Sequence, residues 1–114
     1  MKNNLLGFLL LFFFASCQSE AQPINQVSAD EFEKGMSGKD VQILDVRTAG
    51  EFRTGHLQHA LQADWNNEAQ FKDRTRHLDK SKPVYVYCLS GSRSAAAAQW
   101  LQQNGYKNVV ALKV

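Results

Sequence analysis

A cysteine and an arginine with four residues between them, Cys88 and Arg93, stand in the stretch VYVYCLSGSRSAAAAQW, Val84 to Trp100. Val84 to Tyr87 are β-prone and stop at the thiol, and the turn that follows, Leu89, Ser90, Gly91 and Ser92, is small and polar apart from its leucine. A helix is expected to open within Ser92–Ser94, because the alanines after it are the best helix formers. The first N–H groups of a helix have no intrahelical partner. If the turn curls around the sulfur, those donors converge on it as an anion-binding nest. A free thiol titrates near about 8.5, and a helix N-terminus lowers that into the range of roughly 3.5–7.5. Arg93 places a planar cationic fork beside it, suited to an oxyanion. A cation in the first turn opposes the helix dipole, a placement that a bound anion offsets. This pattern fits sulfur attacking an anionic substrate, as when a thiolate takes sulfane sulfur from a donor such as thiosulfate. The resulting persulfide is then discharged to a thiol or cyanide. The competing reading of Cys88 is a small buried hydrophobe, a common place for free cysteine.

Other polar residues carry weaker signals. Asp45 and Arg47 end the neighbouring apolar run and either border the same pocket or brace a loop, with Arg47 pairing with Glu51. The bracing role is the better fit. His56 and His59 are three apart with no third ligand placed beside them, so no metal is expected, and His56 is read as a turn hydrogen-bonder. Nothing calls for a cofactor. Trp65, Phe71 and Trp100 read as core or pocket-wall aromatics.

The elements that must position these groups alternate. Ser28 with Glu31 is a capping-box signature for a short helix, loosened by Gly35 and Gly38. VQILDV, Val41 to Val46, has strand length. Thr48 with Glu51 offers a second capping box for one or two turns closed by Gly55. HALQAD contains a short strand, and Asn66 or Asn67 caps a helix through Phe71, Thr75 and Leu78. Lys82-Pro83 breaks the chain before the Val84 strand. Gly105 falls where a left-handed cap ends the alanine-rich helix, and NVVALKV supplies a last strand. Near-continuous apolar strands separated by helices indicate a parallel sheet covered on both faces, an α/β fold. Cys88 then lies at the carboxyl end of a central strand, where open α/β sheets hold their ligands.

The first residues stand apart. Met1 to Asn4 carry one lysine, and LLGFLLLFFFAS is apolar and uncharged. It is shorter than the roughly 20 residues of a spanning helix and fits an export signal. Its end, FASC, resembles a bacterial lipoprotein signal, with small residues before a cysteine that is lipidated after cleavage, although Phe14 departs from the usual aliphatic residue. On this reading residues 1–16 are the signal, Cys17 is the lipidation site, 17–25 form a polar tether and 26–114 the domain. The protein is then exported to the cell envelope or periplasm and held on a membrane surface by lipid. Cleavage leaves 12 basic against 11 acidic residues. Without a basic block, phosphate-driven nucleic-acid binding is excluded. With Cys17 lipidated, Cys88 has no partner in the chain, which favours a reactive role in an oxidising compartment.

The two halves together resemble the rhodanese family. ILDVRTAGEFRTGHLQHALQADW matches its first signature, an Asp-x-Arg followed by a Glu-Phe and a Gly-His, and VYVYCLSGSRSAAAAQWLQQNGYKNVVALKV matches its second. The resemblance covers about residues 26–114. It implies a three-layer fold with a central parallel sheet flanked by helices, Cys88 as the persulfide-forming nucleophile and Leu89 to Arg93 as the active-site loop. Family sulfurtransferases have four residues between the cysteine and the arginine, and related phosphatases one more; four are present here. The family usually adds a closing helix after the last strand, and the chain read here stops at Ala111 to Val114, so that helix is expected to be lacking. The implied partners are a small anionic sulfur donor and a thiol or cyanide acceptor. A sulfur-carrying or protein-binding module with little turnover is the other reading. Leu89 is compatible with it, since an apolar residue attracts a small dianion less than a second cation does.

Overall fold

Hydrophobic residues recur with period two along three consecutive sheet strands, and that alternation sorts the molecule into layers. The computed structural model describes residues 22–114; the expected signal segment, Cys17 and most of the tether lie outside the described residues. The elements run β1 (Asn25–Val27), α1 (Ala29–Met36), β2 (Gln42–Asp45), α2 (Ala49–Arg53), β3 (Leu61–Gln62), α3 (Glu68–Thr75), β4 (Val84–Tyr87), α4 (Ser92–Gln103) and β5 (Val109–Leu112). All strand pairs are parallel, in the order β1-β5-β4-β2-β3. Leu44, Val46, Val84, Val86, Val109 and Ala111 face one way and pack with Phe71 of α3 and Ala97, Ala98 and Leu101 of α4. Val110 and Tyr87 face the other way and pack with Phe32 of α1, flanked by Ile43, Tyr85, Leu57 and Ala60. The sheet is thus covered on both faces, as expected from its near-continuous apolar strands.

From β2 the chain goes to β3 on one side, whereas β4 pairs on the other side. The loops after β2 and β4 therefore leave neighbouring strands at the same sheet end and diverge, opening the crevice where a ligand can sit. Both capping boxes form: Ser28 with Glu31 starts α1 and Thr48 with Glu51 starts α2. Asn67, not Asn66, caps α3 through Gln70 N. Gly105 ends α4 at φ +91°, in the left-handed region that favours glycine. One strand has no counterpart in the sequence reading. β1 is short and largely exposed, and its first residue, Asn25, falls in the segment read as tether. Only pairing with β5 defines it.

Gly35 is a packing residue within α1 rather than a loosened end. A Cβ there would overlap the hydroxyl and ring carbons of Tyr85, whose ring is met edge-on by Phe32 at 5.2 Å. Gly35→Ala is expected to destabilise the domain by about 1–2 kcal/mol in urea titration, overpacking outweighing the better helix propensity of alanine.

Candidate active site

The alternation of β4 decides where the thiol points. Val84 and Val86 face α4, so Cys88, two residues on, faces it too, and its side chain joins that core with 5% of the residue exposed. The packing reading and the chemical reading therefore describe the same sulfur. Gly91 N–H donates to Cys88 Sγ at 3.1 Å and Ser94 N–H donates to it at 3.3 Å. The thiol donates to Ser94 Oγ at 3.4 Å, and Ser94 Oγ in turn donates to Gly91 O at 3.2 Å. Gly91 is the N-cap of α4 and supplies no side-chain cap. The sulfur fills that role: a helix normally capped by Ser, Asp or Asn is capped here by Cys88.

Gly91 has φ +90°, and a Cβ there would lie 3.5 Å from Val114 N. This left-handed residue turns the loop back so that its N–H points at Sγ. Burial alone raises the thiol's pKa, but the Ser94 hydroxyl and the N–H groups of Ser94, Gly91 and Ser90 outweigh it, and the thiol ends below its ordinary value. Ionisation asks only that the Ser94 hydroxyl turn from Gly91 O to the sulfur. Ser94 is not among the site residues read from the sequence. Its signal was available, as the third helical residue after a glycine cap is where a capping partner is bonded. Ser94→Ala is expected to raise the midpoint of iodoacetamide alkylation against pH by about one pH unit, the worth of one hydrogen bond to a charged group.

Arg93 is not a free cation. Its NH1 donates to Glu51 Oε1 at 2.8 Å and its NH2 to Oε2 at 3.1 Å, a bidentate pair across the crevice. Glu51 Oε1 also accepts Thr48 N–H at 2.9 Å. The Arg93 hydrogen bond, then that of Thr48, hold the Glu51 carboxyl down to about 2. The expected Arg47–Glu51 pair does not form. Arg47 turns instead to Asp45, its Nε and NH2 donating to the carboxylate at 2.9 and 2.7 Å, because both end the same strand and face the α1 side.

Asp45 is fully buried. It also accepts Arg47 N–H at 3.0 Å and the Tyr87 hydroxyl at 2.6 Å. Burial pushes its carboxyl up, and the Arg47 and Tyr87 hydrogen bonds more than reverse that, leaving it below the usual range. Burial and the Asp45 bond push Tyr87 up to about 12. The Tyr87 hydroxyl accepts Leu57 N–H at 3.0 Å, and Arg47 NH2 donates to Gly55 O at 2.7 Å. Asp45 and Arg47 thus brace the loop after α2, the role favoured from the sequence, and do not touch Cys88 Sγ. His56 donates through Nδ1–H to Phe52 O, 2.9 Å away, within its turn. Trp65, Phe71 and Trp100 form an edge-to-face ladder at 5.0 and 5.3 Å beside α4. Among the described residues no group of three His, Cys, Asp or Glu side chains is placed to hold a metal.

The family model for the rhodanese-like domain matches residues 28–113. The chain belongs to the rhodanese-like family. A rhodanese-like domain protein of Staphylococcus aureus superposes with a TM-score of 0.67 at 28% identity, covering 79% of this chain and 85% of that one. The uncharacterized protein YqhL of Bacillus subtilis is 32% identical over 96% of this chain and 82% of its own. Thiosulfate sulfurtransferase GlpE of Coxiella burnetii is 33% identical over 76% of this chain and 78% of its own. A tRNA uridine(34) hydroxylase of Pelagibacter ubique is 30% identical over 86% of this chain but only 33% of its own length. The rhodanese-like domain is therefore shared by proteins with different named activities.

Proposed function

We propose that this rhodanese-like protein is a sulfurtransferase that carries sulfane sulfur as a persulfide on Cys88. One observation carries the reading: the Cys88 sulfur accepts two backbone N–H groups at the end of a buried strand. Leu89 to Arg93 form the loop that receives the donor. The thiolate attacks the sulfane sulfur, the donor's remaining part leaves with the bonding pair, and the loop amides hold the charge on the new persulfide. A thiol or cyanide then attacks the outer sulfur and regenerates the thiolate. The similarity to GlpE supports this class of chemistry. A second reading, a sulfur carrier with little turnover of its own, is favoured by Leu89, which is 66% exposed at the loop's outer side and offers no charge to a small anion.

We also propose that the domain works at the cell envelope, tethered to a membrane by lipid on Cys17, which the apolar run before FASC supports. Among the described residues no helix is long and apolar enough to cross a membrane. Intact mass of the protein from cells, before and after exposure to a sulfur donor, tests both points. A gain of about 32 Da on Cys88, one sulfur, is expected with donor, together with a diacyl mass at the N-terminus. No gain with any sulfane donor removes the persulfide reading; an unmodified N-terminus at Met1 removes the tether.

A further inference from the structure

In a sheet whose strands are all parallel, each crossover helix returns the chain to the same end. The returns after α1, α3 and α4, residues 37–41, 76–83 and 104–108, therefore gather at the end opposite Cys88. Hydrogen bonds lock them into one surface. The Gln42 side chain donates to Asp79 O at 2.9 Å and accepts Asp79 N–H at 2.7 Å. Lys107 N–H donates to Lys80 O at 3.0 Å, and Val84 N–H donates to Asn108 O at 2.9 Å. Lysines scattered through the sequence meet there: Lys39, Lys80, Lys82 and Lys107, all exposed, outnumber the carboxylates Asp40 and Asp79. Arg76 is balanced by Asp73 at 2.6 Å. The Cys88 end has the opposite sign. Its pairs Asp45–Arg47, Glu51–Arg93 and Glu68–Lys72 cancel internally, and Asp30, Glu31 and Asp64 then outnumber Lys113. The domain is a charge dipole along its strands.

The chain enters the domain at the basic end. β1 pairs in parallel with β5 from Asn25, opposite Val110, and Ile24 just before it packs with the core on the α4 side. Cys17 lies seven residues before Ile24, a span of at most about 25 Å when fully extended. We infer that this lysine-rich end rests on an anionic phospholipid surface and turns the mouth of Cys88 towards the aqueous phase. The inference rests on the lipid tether proposed above, since an acyl anchor and a patch of cations act together at a membrane. The acidic end is repelled by the same surface, so tether and charge favour one orientation. Donor and acceptor of sulfur then reach Cys88 from water, not from within the lipid.

The test uses the lipidated protein purified from cells, on vesicles of phosphatidylcholine alone or in equal parts with phosphatidylglycerol. Lysines are acetylated with a membrane-impermeant N-hydroxysuccinimide ester and read site by site by mass spectrometry, and Cys88 is alkylated with iodoacetamide in parallel. Acetylation of Lys39, Lys80, Lys82 and Lys107 is expected to slow about threefold on the anionic vesicles and to recover as salt screens the surface. Lys113 and Cys88 are expected to stay within about twofold of their rates on neutral vesicles. Lys39→Gln with Lys107→Gln, both at exposed positions, should reduce the slowing at Lys82 to below about twofold. Equal lysine rates on both kinds of vesicle, with the protein bound to each, overturn the inference and keep the tether. Slowing at Lys113 and Cys88 instead overturns the orientation. Protein that lacks the diacyl mass and floats with neither vesicle overturns the tether, and the inference with it.

Discussion

Cys88→Ser is expected to abolish sulfur transfer, with turnover at least about 1,000-fold below wild type and no added sulfur at position 88, because an alkoxide is inaccessible where a thiolate is not. The domain should still fold, since a serine hydroxyl can accept the Gly91 and Ser94 N–H groups that Sγ accepts. Its shorter reach and the polar atom it adds to a buried position should cost about 1–2 kcal/mol. Transfer assays and urea unfolding on the same preparation separate the two effects. A folded Cys88→Ser variant that still turns over sulfane sulfur would place the chemistry elsewhere. Cys88→Ala makes the complementary case. It leaves the first turn of α4 without a partner for Ser94 N–H, so it should be less stable than Cys88→Ser even though alanine suits the apolar surroundings better.

Asp45→Ala should produce the largest loss of stability among single substitutions in the site, about 3–5 kcal/mol, because it leaves the Arg47 guanidinium largely buried without its counter-charge. Arg47 is 12% exposed at its side chain and Asp45 not at all. Removing both, as in Asp45→Ala with Arg47→Leu, should cost less than Asp45→Ala alone, since no uncompensated charge remains. The pH dependence follows in sign. The Asp45 carboxyl is held below its unfolded value of 3.8, so its contribution is present above that value and lost as pH falls through the folded one. Wild type should therefore lose stability on acidification below about pH 4, and Asp45→Ala should lose less over the same interval. Equal acid slopes in the two proteins would mean that Asp45 is not stabilised by its partners in solution.

Much of this was legible because it is local. The capping boxes at Ser28 and Thr48 are four-residue patterns, and each formed as read. The strand at Val84–Tyr87 and the helix after it follow from alternation and propensity, and together they put the thiol at the sheet's carboxyl end. The partners of charged groups were less legible, because they depend on which strands become neighbours. Glu51 and Arg93 are 42 residues apart and meet only because β2 pairs with β4. Sequence proximity suggested Arg47 for Glu51, and burial of Asp45 at the end of the same strand won instead. Tyr87 looked like another β-prone residue. Its hydroxyl finds Asp45 because the two lie directly opposite in the β2–β4 register. β1 escaped notice since Asn25 and Gln26 have no apolar pattern of their own. Gln62 escaped for a similar reason: it is buried at the sheet edge, where its amide donates to Arg47 O and to Gln70.

The sulfur that closes the N-terminus of α4 makes reactivity and local folding a single equilibrium. When the first turn of that helix frays, the donors that favour the ionised sulfur leave with it, and the group reverts to a sluggish mercaptan while the sheet beneath stays paired. Mild heat or low denaturant is thus expected to slow alkylation of Cys88 before the sheet melts.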